Sequence, residues 1–288
     1  MSVLQDGTDP SPAVAEPRVV PRLDQLLALA GRHATAYRTA DPFPHVVLDD
    51  VVDIEALRQV AAEIPARSAR GWTKWETLNE WKYVFDQPER FGPAARRLYE
   101  SLNSSEFVRF LEHLTGIEGL IPDPHLAAAG YFDIERGGFL NVHIDFTRHR
   151  KLNLDRRVNV LVYLNPDWEA AWGGQLELWR SLDDGPVVEV VPTMGRMVVF
   201  STPGAAHGHP KPVVAPDGRS RLCFSAYYFT SPDAPDGPTD FHGVLFRSRS
   251  SETSRVLRAV RRLCPPILLD GIKLGIRQLR RRSADRLG

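Results

Sequence analysis

The chain has 288 residues, 43% of them hydrophobic and 25% charged, with a formal net charge of zero, which suits a globular protein and gives no reason to expect a nucleic-acid partner. The two cysteines, Cys223 and Cys264, lie far apart, which argues against a disulfide framework and a thiolate zinc site. With no secretory signal pattern and no run of about 18 apolar residues, we expect a cytoplasmic protein without a transmembrane helix.

The sequence pattern of the N-terminal part predicts a disordered segment followed by helices. Residues 1–21 are rich in Pro, Ala, Ser and Asp and show no periodicity, so we predict a disordered lead-in. Residues 22–120 are predicted to form a helical support region, in which "DPFPHVVLDDVV" interrupts the helices as a short strand. The helical patterns fall at residues 22–40, at 53–64 with Asp53 as N-cap, and twice within 93–119.

Residues 121–235 change to short β-rich runs separated by Gly- and Pro-containing turns. Such a series is typical of a sandwich, jelly roll or barrel, so the fold class is predicted as α+β with a mainly β core. The predicted strands are 138–144, 157–164, 174–180, 186–191, 196–201 and 221–229.

The C-terminal segment, residues 236–288, is predicted to be a basic helical tail. From Arg247 onwards it holds 12 Lys and Arg against 3 Asp and Glu. It could pack on the domain with a solvated basic face, or it could contact an anionic membrane surface or a partner.

The segment "GGFLNVHIDF" contains the first candidate metal ligands, His143 and Asp145. Residues two apart on a strand point to one face, so both side chains can reach one ion. A third ligand from elsewhere would complete a 2-His-1-carboxylate site, which suits Fe(II) and leaves positions open. Taken alone the H-x-D pair is weak, because a strand histidine is commonly just hydrogen-bonded.

Later segments supply candidates for the remaining roles. The string "PGAAHGHPKPV" places His207 and His209 in a predicted Pro/Gly-rich loop after a strand. Tyr163 lies on the strand "RVNVLVYLN", where it could also be a plain core aromatic. Arg221, on the strand "RLCFSAYYFT", could bind a carboxylate inside the barrel or form a structural ion pair.

The order of these motifs resembles the prolyl 4-hydroxylase-like branch of the 2-oxoglutarate and Fe(II)-dependent oxygenases, and within it a bacterial subgroup with an HGHP motif. The resemblance covers about residues 120–230 and implies a double-stranded β-helix with the iron at one mouth. By match of motif, His143, Asp145 and His207 resemble the iron ligands. Arg221 and Tyr163 resemble the residues that hold the distal carboxylate of 2-oxoglutarate.

Three further positions compete with these assignments or extend them. His209 is the alternative to His207 as distal ligand. Arg219 is the alternative to Arg221, although it falls in the predicted turn. Tyr131 resembles a cofactor-binding tyrosine found early in the barrel of many relatives, but the surrounding "AAGYF" departs from the "GGLH" expected of the HGHP subgroup.

The resemblance implies an enzyme that hydroxylates a C–H bond while 2-oxoglutarate is decarboxylated to succinate, with Fe(II) and 2-oxoglutarate as cofactors and ascorbate as a possible addition. Asp145 favours hydroxylation, because related halogenases carry a small residue there. The substrate could be a peptidyl proline, an amino acid, or a carbohydrate or natural-product scaffold. The alternatives are a non-catalytic metal- or ligand-binding module on the same fold and a cupin-type enzyme that does not use 2-oxoglutarate.

Two other features have competing interpretations. The segment "GWTKWETLNEWKY" contains Trp72, Trp75 and Trp81, which could form a substrate lid or pack between the helices and the barrel. His149, within "RHRK", is predicted to be a solvated loop residue.

Overall fold

A computed structural model describes residues 18–49, 51–149, 151–234, 237–238 and 240–247. Residues 1–17 of the predicted lead-in, and most of the predicted tail 236–288, lie outside the described residues. The expectation of disorder is wrong for the end of the lead-in, where Val19 and Val20 are buried in the apolar core. Their burial follows from their apolar side chains, and the carbonyl of Val19 accepts a hydrogen bond from the amide of Asp53 at 3.0 Å.

The described residues contain four α-helices at the predicted places. They are α1 (Leu23–Thr39), α2 (Ile54–Ala62), α3 (Pro93–Leu102) and α4 (Ser105–Thr115). The side chain of Asp53 accepts from the amide of Ala56 at 2.7 Å and caps α2, as predicted. Ser104 caps α4 in the same way, and Gly116 ends it with a φ of 77°.

Thirteen strands form one antiparallel sheet within the described residues. They are β1 (His45–Leu48), β2 (Thr73–Glu76), β3 (Glu80–Phe85), β4 (Ile121–Pro122), β5 (Gly130–Ile134), β6 (Phe139–Ile144), β7 (Asp155–Tyr163), β8 (Leu176–Trp179), β9 (Pro186–Val190), β10 (Met197–Ser201), β11 (Ala206–His209), β12 (Arg221–Thr230) and β13 (Leu245–Phe246). The order is β1-β10-β7-β12-β5-β3-β6-β11-β8-β9, with β2, β4 and β13 attached at the side.

The two ends of this sheet face each other. Leu161 and Tyr163 of β7 form one apolar cluster with Leu176 and Leu178 of β8, although these strands are far apart in the sheet order. The alternate face of β7 packs instead into the larger core that contains the helices. The helical layer therefore covers one face of the sheet, and the other face encloses the interior where a site can form. This mainly β architecture is the one predicted.

The part of the chain that the structure describes contains six strands that were not predicted: β2, β3, β4, β5, β11 and β13, the last within the predicted helical tail. Residues 22–120, predicted as a helical support region, also contribute β3, which lies between β5 and β6 in the sheet. The strand β11 replaces the predicted loop around the two histidines, because its backbone is hydrogen-bonded to β6 on one side and β8 on the other.

Among the described residues, no helix is both long enough and apolar enough to cross a membrane.

Candidate active site

Three buried side chains with metal-ligating atoms meet in the interior of the sheet. Atoms of His143, Asp145 and His207 that could bind a metal all lie within 4.8 Å of one another. His143 and His207 are direct partners across β6 and β11, and their rings are 4.5 Å apart. Asp145 follows the end of β6, with one carboxylate oxygen 3.4 Å from Nε2 of His143 and the other 3.6 Å from Nε2 of His207.

The orientation of both imidazoles is fixed by the backbone. Nδ1 of His143 lies 3.0 Å from the carbonyl of Asn141, and Nδ1 of His207 lies 3.0 Å from the carbonyl of Ala205. A carbonyl only accepts, so each Nδ1 carries the proton and each Nε2 presents a lone pair toward Asp145. Two imidazole nitrogens and one carboxylate oxygen can occupy one face of the coordination sphere of a metal ion, which is the facial arrangement typical of Fe(II) sites.

Arg156 stands behind the carboxylate and was not recognised in the sequence. Its guanidinium is fully buried, and Nη2 lies 2.7 Å from Oδ2 of Asp145, in an ion pair without hydrogen-bond alignment. The same guanidinium lies 3.4 Å from the ring centroid of Tyr227 and 4.5 Å from that of Phe146. Burial raises the pKa of Asp145, but the charge of Arg156 and the nearby histidines outweigh it and hold that pKa well below its usual range.

His207 is suited to donate its lone pair at neutral pH. Burial, followed by the neighbouring His143, lowers the pKa of His207 to about 4. His209, the alternative distal ligand, is two residues further along β11 and is not part of the cluster. The structure therefore brings His207 to His143 and Asp145.

Arg221 and Tyr163 meet on the same interior face, as the alternation of their strands predicts. Nη2 of Arg221 lies 3.2 Å from the hydroxyl oxygen of Tyr163, and both residues are buried. Burial raises the pKa of Tyr163, so its hydroxyl stays protonated and can donate. Nε of Arg221 donates to the carbonyl of Gly174 at 2.6 Å. Arg219, the competing cation, donates instead to the carbonyl of Pro166 at the surface.

Tyr131 is not brought to the site. Its ring packs in the helix-facing core, 5.3 Å from Phe91 and 5.1 Å from Phe224, and its hydroxyl has no hydrogen-bond partner among the described residues. The expectation of a cofactor contact is therefore wrong. On β5 it is the next residue, Phe132, that packs with the interior cluster of Tyr163.

His149 is buried, so the prediction of a solvated residue is wrong. Its Nδ1 accepts from the amides of Lys151 and Leu152 at 3.2 and 3.0 Å, which places the proton on Nε2, 3.5 Å from Oδ1 of Asp123. The basic neighbours of His149 in the sequence suggested that its side chain is exposed to solvent. In the structure, the turn that follows folds back so that two of its amides reach the ring.

Two of the three tryptophans differ in their burial. Trp72 packs against the helical core, with its ring 5.2 Å from that of Phe85 and its Nε1 donating to Pro65. Trp75, on β2, is 47% exposed.

Comparisons with known proteins agree with this geometry. Residues 126–229 match the sequence profile of the 2OG-Fe(II) oxygenase superfamily. A prolyl 3,4-dihydroxylase of Ostreococcus tauri is 25% identical over 206 residues, which is 66% of this chain and 38% of that protein. The chain thus spans well under half the length of this curated relative.

Two solved structures share the fold. A prolyl-4-hydroxylase of Pseudomonas putida is 19% identical with a TM-score of 0.50, covering 73% of this chain and 99% of that one. A prolyl hydroxylase of Trichoplax adhaerens, in complex with a hypoxia inducible factor peptide fragment, is 18% identical with a TM-score of 0.51, covering 72% and 91%. The fold is the double-stranded β-helix that the motifs implied.

Proposed function

Residues 126–229 of this chain belong to the 2OG-Fe(II) oxygenase superfamily, and from that premise we propose that the protein is a 2-oxoglutarate- and Fe(II)-dependent dioxygenase that hydroxylates a C–H bond. One observation carries the proposal. The ligand atoms of His143, Asp145 and His207 converge within 4.8 Å, inside the same sheet interior that holds the buried pair of Arg221 and Tyr163.

The metal would be held by His143, Asp145 and His207. Arg156 favours the ionised form of Asp145, and the two backbone carbonyls orient both imidazoles with Nε2 toward the metal position. When bound, iron and 2-oxoglutarate would supply the activation of dioxygen, the decarboxylation to succinate and the transfer of one oxygen atom to a C–H bond.

The cosubstrate would be oriented by Arg221 and Tyr163. A guanidinium and a protonated hydroxyl 3.2 Å apart can both donate to the distal carboxylate of 2-oxoglutarate. Both groups are buried, so their charge and dipole act in a medium of low dielectric, where such contacts are stronger than in water.

For the substrate, we propose a prolyl residue in a peptide as the first candidate. The support is the match to a prolyl 3,4-dihydroxylase. A free amino acid and a carbohydrate or natural-product scaffold are the alternatives. Dependence on ascorbate and a cytoplasmic location are further predictions from the sequence.

The test is succinate formation by the purified protein. We expect succinate only when Fe(II) and 2-oxoglutarate are both present, a higher rate with a proline-containing peptide than with free proline, and loss of turnover in Asp145→Ala. Asp183→Ala, in an exposed turn, is the matched control and retains activity. Binding of Mn(II) and 2-oxoglutarate without any succinate would instead identify a non-catalytic binding module.

A further inference from the structure

His209, the second histidine of the "HGHP" string, is buried without a partner. It is only 3% exposed, and among the described residues neither of its ring nitrogens has a hydrogen-bond partner. A neutral imidazole has one donor and one acceptor nitrogen, and leaving such a group unsatisfied in the interior costs about 1–3 kcal/mol. An unpartnered histidine inside a site is therefore a candidate ligand-binding group.

The sheet register shows which residues share the face of His209. A register shift gives β6 one extra residue between the partners of His207 and His209, so His209 pairs with Leu140, and Leu140 pairs in turn with Glu80 of β3. Directly paired residues point to the same side of a sheet, and Lys82, two residues after Glu80, follows it on that side. His209 and Lys82 therefore both face the sheet interior.

Lys82 lies over the ring of Phe132, which adjoins the proposed cosubstrate pocket. Its Nζ is 5.0 Å from the ring centroid of Phe132, and Phe132 packs against the cluster that contains Tyr163 and Cys223. The thiol of Cys223 is in turn 3.8 Å from Nη1 of Arg221. Phe132 and Cys223 thus connect Lys82 with the pair of Arg221 and Tyr163.

Lys82 is held in place without using all its donors. Its Nζ is 2.9 Å from Oε2 of Glu80, and the two side chains are only 15% and 11% exposed. An ammonium group has three donor hydrogens, so one pair with Glu80 leaves two of them for another acceptor. Arg221 and Lys82 are the two charged residues that act most strongly on His209, so its imidazole lies near both cations.

We propose that His209 and Lys82 are cosubstrate-binding residues that, with Arg221 and Tyr163, bind the distal carboxylate of 2-oxoglutarate. His209 would donate one N–H to this carboxylate, and Lys82 would supply a second positive charge. Together they would favour a 2-oxo dicarboxylate over a 2-oxo monocarboxylate. This inference rests on the proposed function, because it assigns further ligands to the same cosubstrate.

The test compares the affinities of four variants for 2-oxoglutarate in the presence of Mn(II), by titration calorimetry. His209→Leu and Lys82→Met remove the two contacts, and His209→Gln keeps a donor. Lys74→Met is the matched control, because Lys74 also lies 2.9 Å from a glutamate, Glu76, but on the exposed strand β2.

We expect His209→Leu and Lys82→Met each to weaken 2-oxoglutarate binding about tenfold, as for the loss of one hydrogen bond to a charged group. His209→Gln should weaken it less than His209→Leu, and Lys74→Met should leave it unchanged. Binding of 2-oxobutyrate, which lacks the distal carboxylate, should change less than twofold in every variant. Mn(II) affinity, followed by electron paramagnetic resonance, should stay at the wild-type value.

Unchanged 2-oxoglutarate affinity in His209→Leu and Lys82→Met would overturn the inference, and so would a loss of Mn(II) affinity in His209→Leu. If the variants do not fold, the imidazole nitrogen resonances of the wild-type protein with Zn(II) give the answer, because 2-oxoglutarate must shift those of His209 and 2-oxobutyrate must not. Failure of the wild-type protein to bind 2-oxoglutarate at all would reject the proposed function itself, which is a distinct result.

Discussion

Nη2 of Arg156 lies 2.7 Å from Oδ2 of Asp145, and both groups are buried. The carboxylate therefore has a cationic partner whether or not a metal is bound. A buried carboxylate without any such partner is strongly destabilising.

Replacing Arg156 by Met should make the metal the only counter-charge of Asp145. Met keeps the packing between the rings of Tyr227 and Phe146 but removes the charge, so we expect the metal-free free energy of unfolding to fall by about 3 kcal/mol. The stabilisation by added Mn(II) should become larger than in the wild type, because the metal then replaces the missing cation. Urea unfolding with and without Mn(II) measures both quantities.

Arg148→Met is the matched control for that experiment. Arg148 also pairs with a buried carboxylate, that of Asp155 at 2.9 Å, and also lies over an aromatic ring, that of Phe241. It should lower stability without enlarging the Mn(II) effect. An equal Mn(II) effect in the two variants would contradict the assigned role of Arg156.

Replacing Gly174 by Ala should disturb the cosubstrate pocket. A Cβ at Gly174 would lie 2.9 Å from Cδ of Arg221, whose Nε donates to the carbonyl of the same glycine. We expect 2-oxoglutarate affinity to fall about tenfold, since a displaced Arg221 loses a charge-assisted hydrogen bond. Gly218→Ala controls for backbone strain, because Gly218 has a similar positive φ of 78° but open space around it. If both variants bind 2-oxoglutarate equally well, Gly174 does not position Arg221.

The metal-free protein should lose stability as the pH falls from 6.5 toward 4. His207 has a pKa of about 4 in the folded state, whereas an unfolded chain takes up this proton near pH 6.5. Within this window the unfolded state binds more protons, so the free energy of unfolding decreases on acidification, by at most about 1.4 kcal/mol per pH unit from this group. Above pH 6.5 its contribution is constant.

Urea unfolding at several pH values checks this dependence. The free energy of unfolding of His207→Gln should depend less steeply on pH below pH 6.5 than that of the wild type. Part of the dependence should remain, because burial also lowers the pKa of His209. His113→Gln removes an exposed histidine and should retain the wild-type slope. Identical slopes in the wild type and His207→Gln would contradict the prediction.

Arg67 should stabilise the fold through a buried carboxylate. Nε and Nη2 of Arg67 donate to both oxygens of Asp133, at 2.6 and 2.8 Å, and the Asp133 side chain is only 7% exposed. Because Arg67 itself is one-third exposed, we expect Arg67→Met to cost about 2 kcal/mol, less than a fully buried pair. Arg58→Met breaks an exposed pair with Glu55 and should cost less than about 0.5 kcal/mol. Similar losses in both variants would refute the argument.

The parts of the site that lie on regular strands could be predicted from the sequence. Alternation places Tyr163 and Arg221 on interior faces, and the observed contact between them agrees. The i, i+2 spacing of His143 and Asp145 likewise agrees with their convergence. For these residues the two-residue period of a strand was enough to predict which side chains share a face.

Arg156 could not be found in this way, because the alternation of β7 is broken beside it. Tyr228 pairs with Val158 and Phe229 pairs with Arg156, so β7 contributes one extra residue at this point. Such a bulge reverses the faces of the residues beyond it. Strict alternation would have put Arg156 on the helix-facing side with Val158.

The strand β11 was missed for a different reason. Its sequence, Ala-His-Gly-His, has no apolar alternation and little β propensity, and its conformation comes from hydrogen bonds to strands on both sides. The buried environment of His149 also depends on a residue distant in the chain, Asp123. Tertiary contacts of this kind leave no local pattern in the sequence.

The pairing of His143 with His207 across β6 and β11 also determines where this scaffold can change in length. Deleting or inserting one residue inside either strand would turn its histidine away from the interior, and the close approach of Gly208 to the backbone of Leu140 and Asn141 leaves no room for a compensating side chain. The exposed turns 180–185 and 216–219 have no such constraint. We therefore expect sequences that keep this site to differ by insertions in those turns while the residue count within β6 and β11 stays fixed.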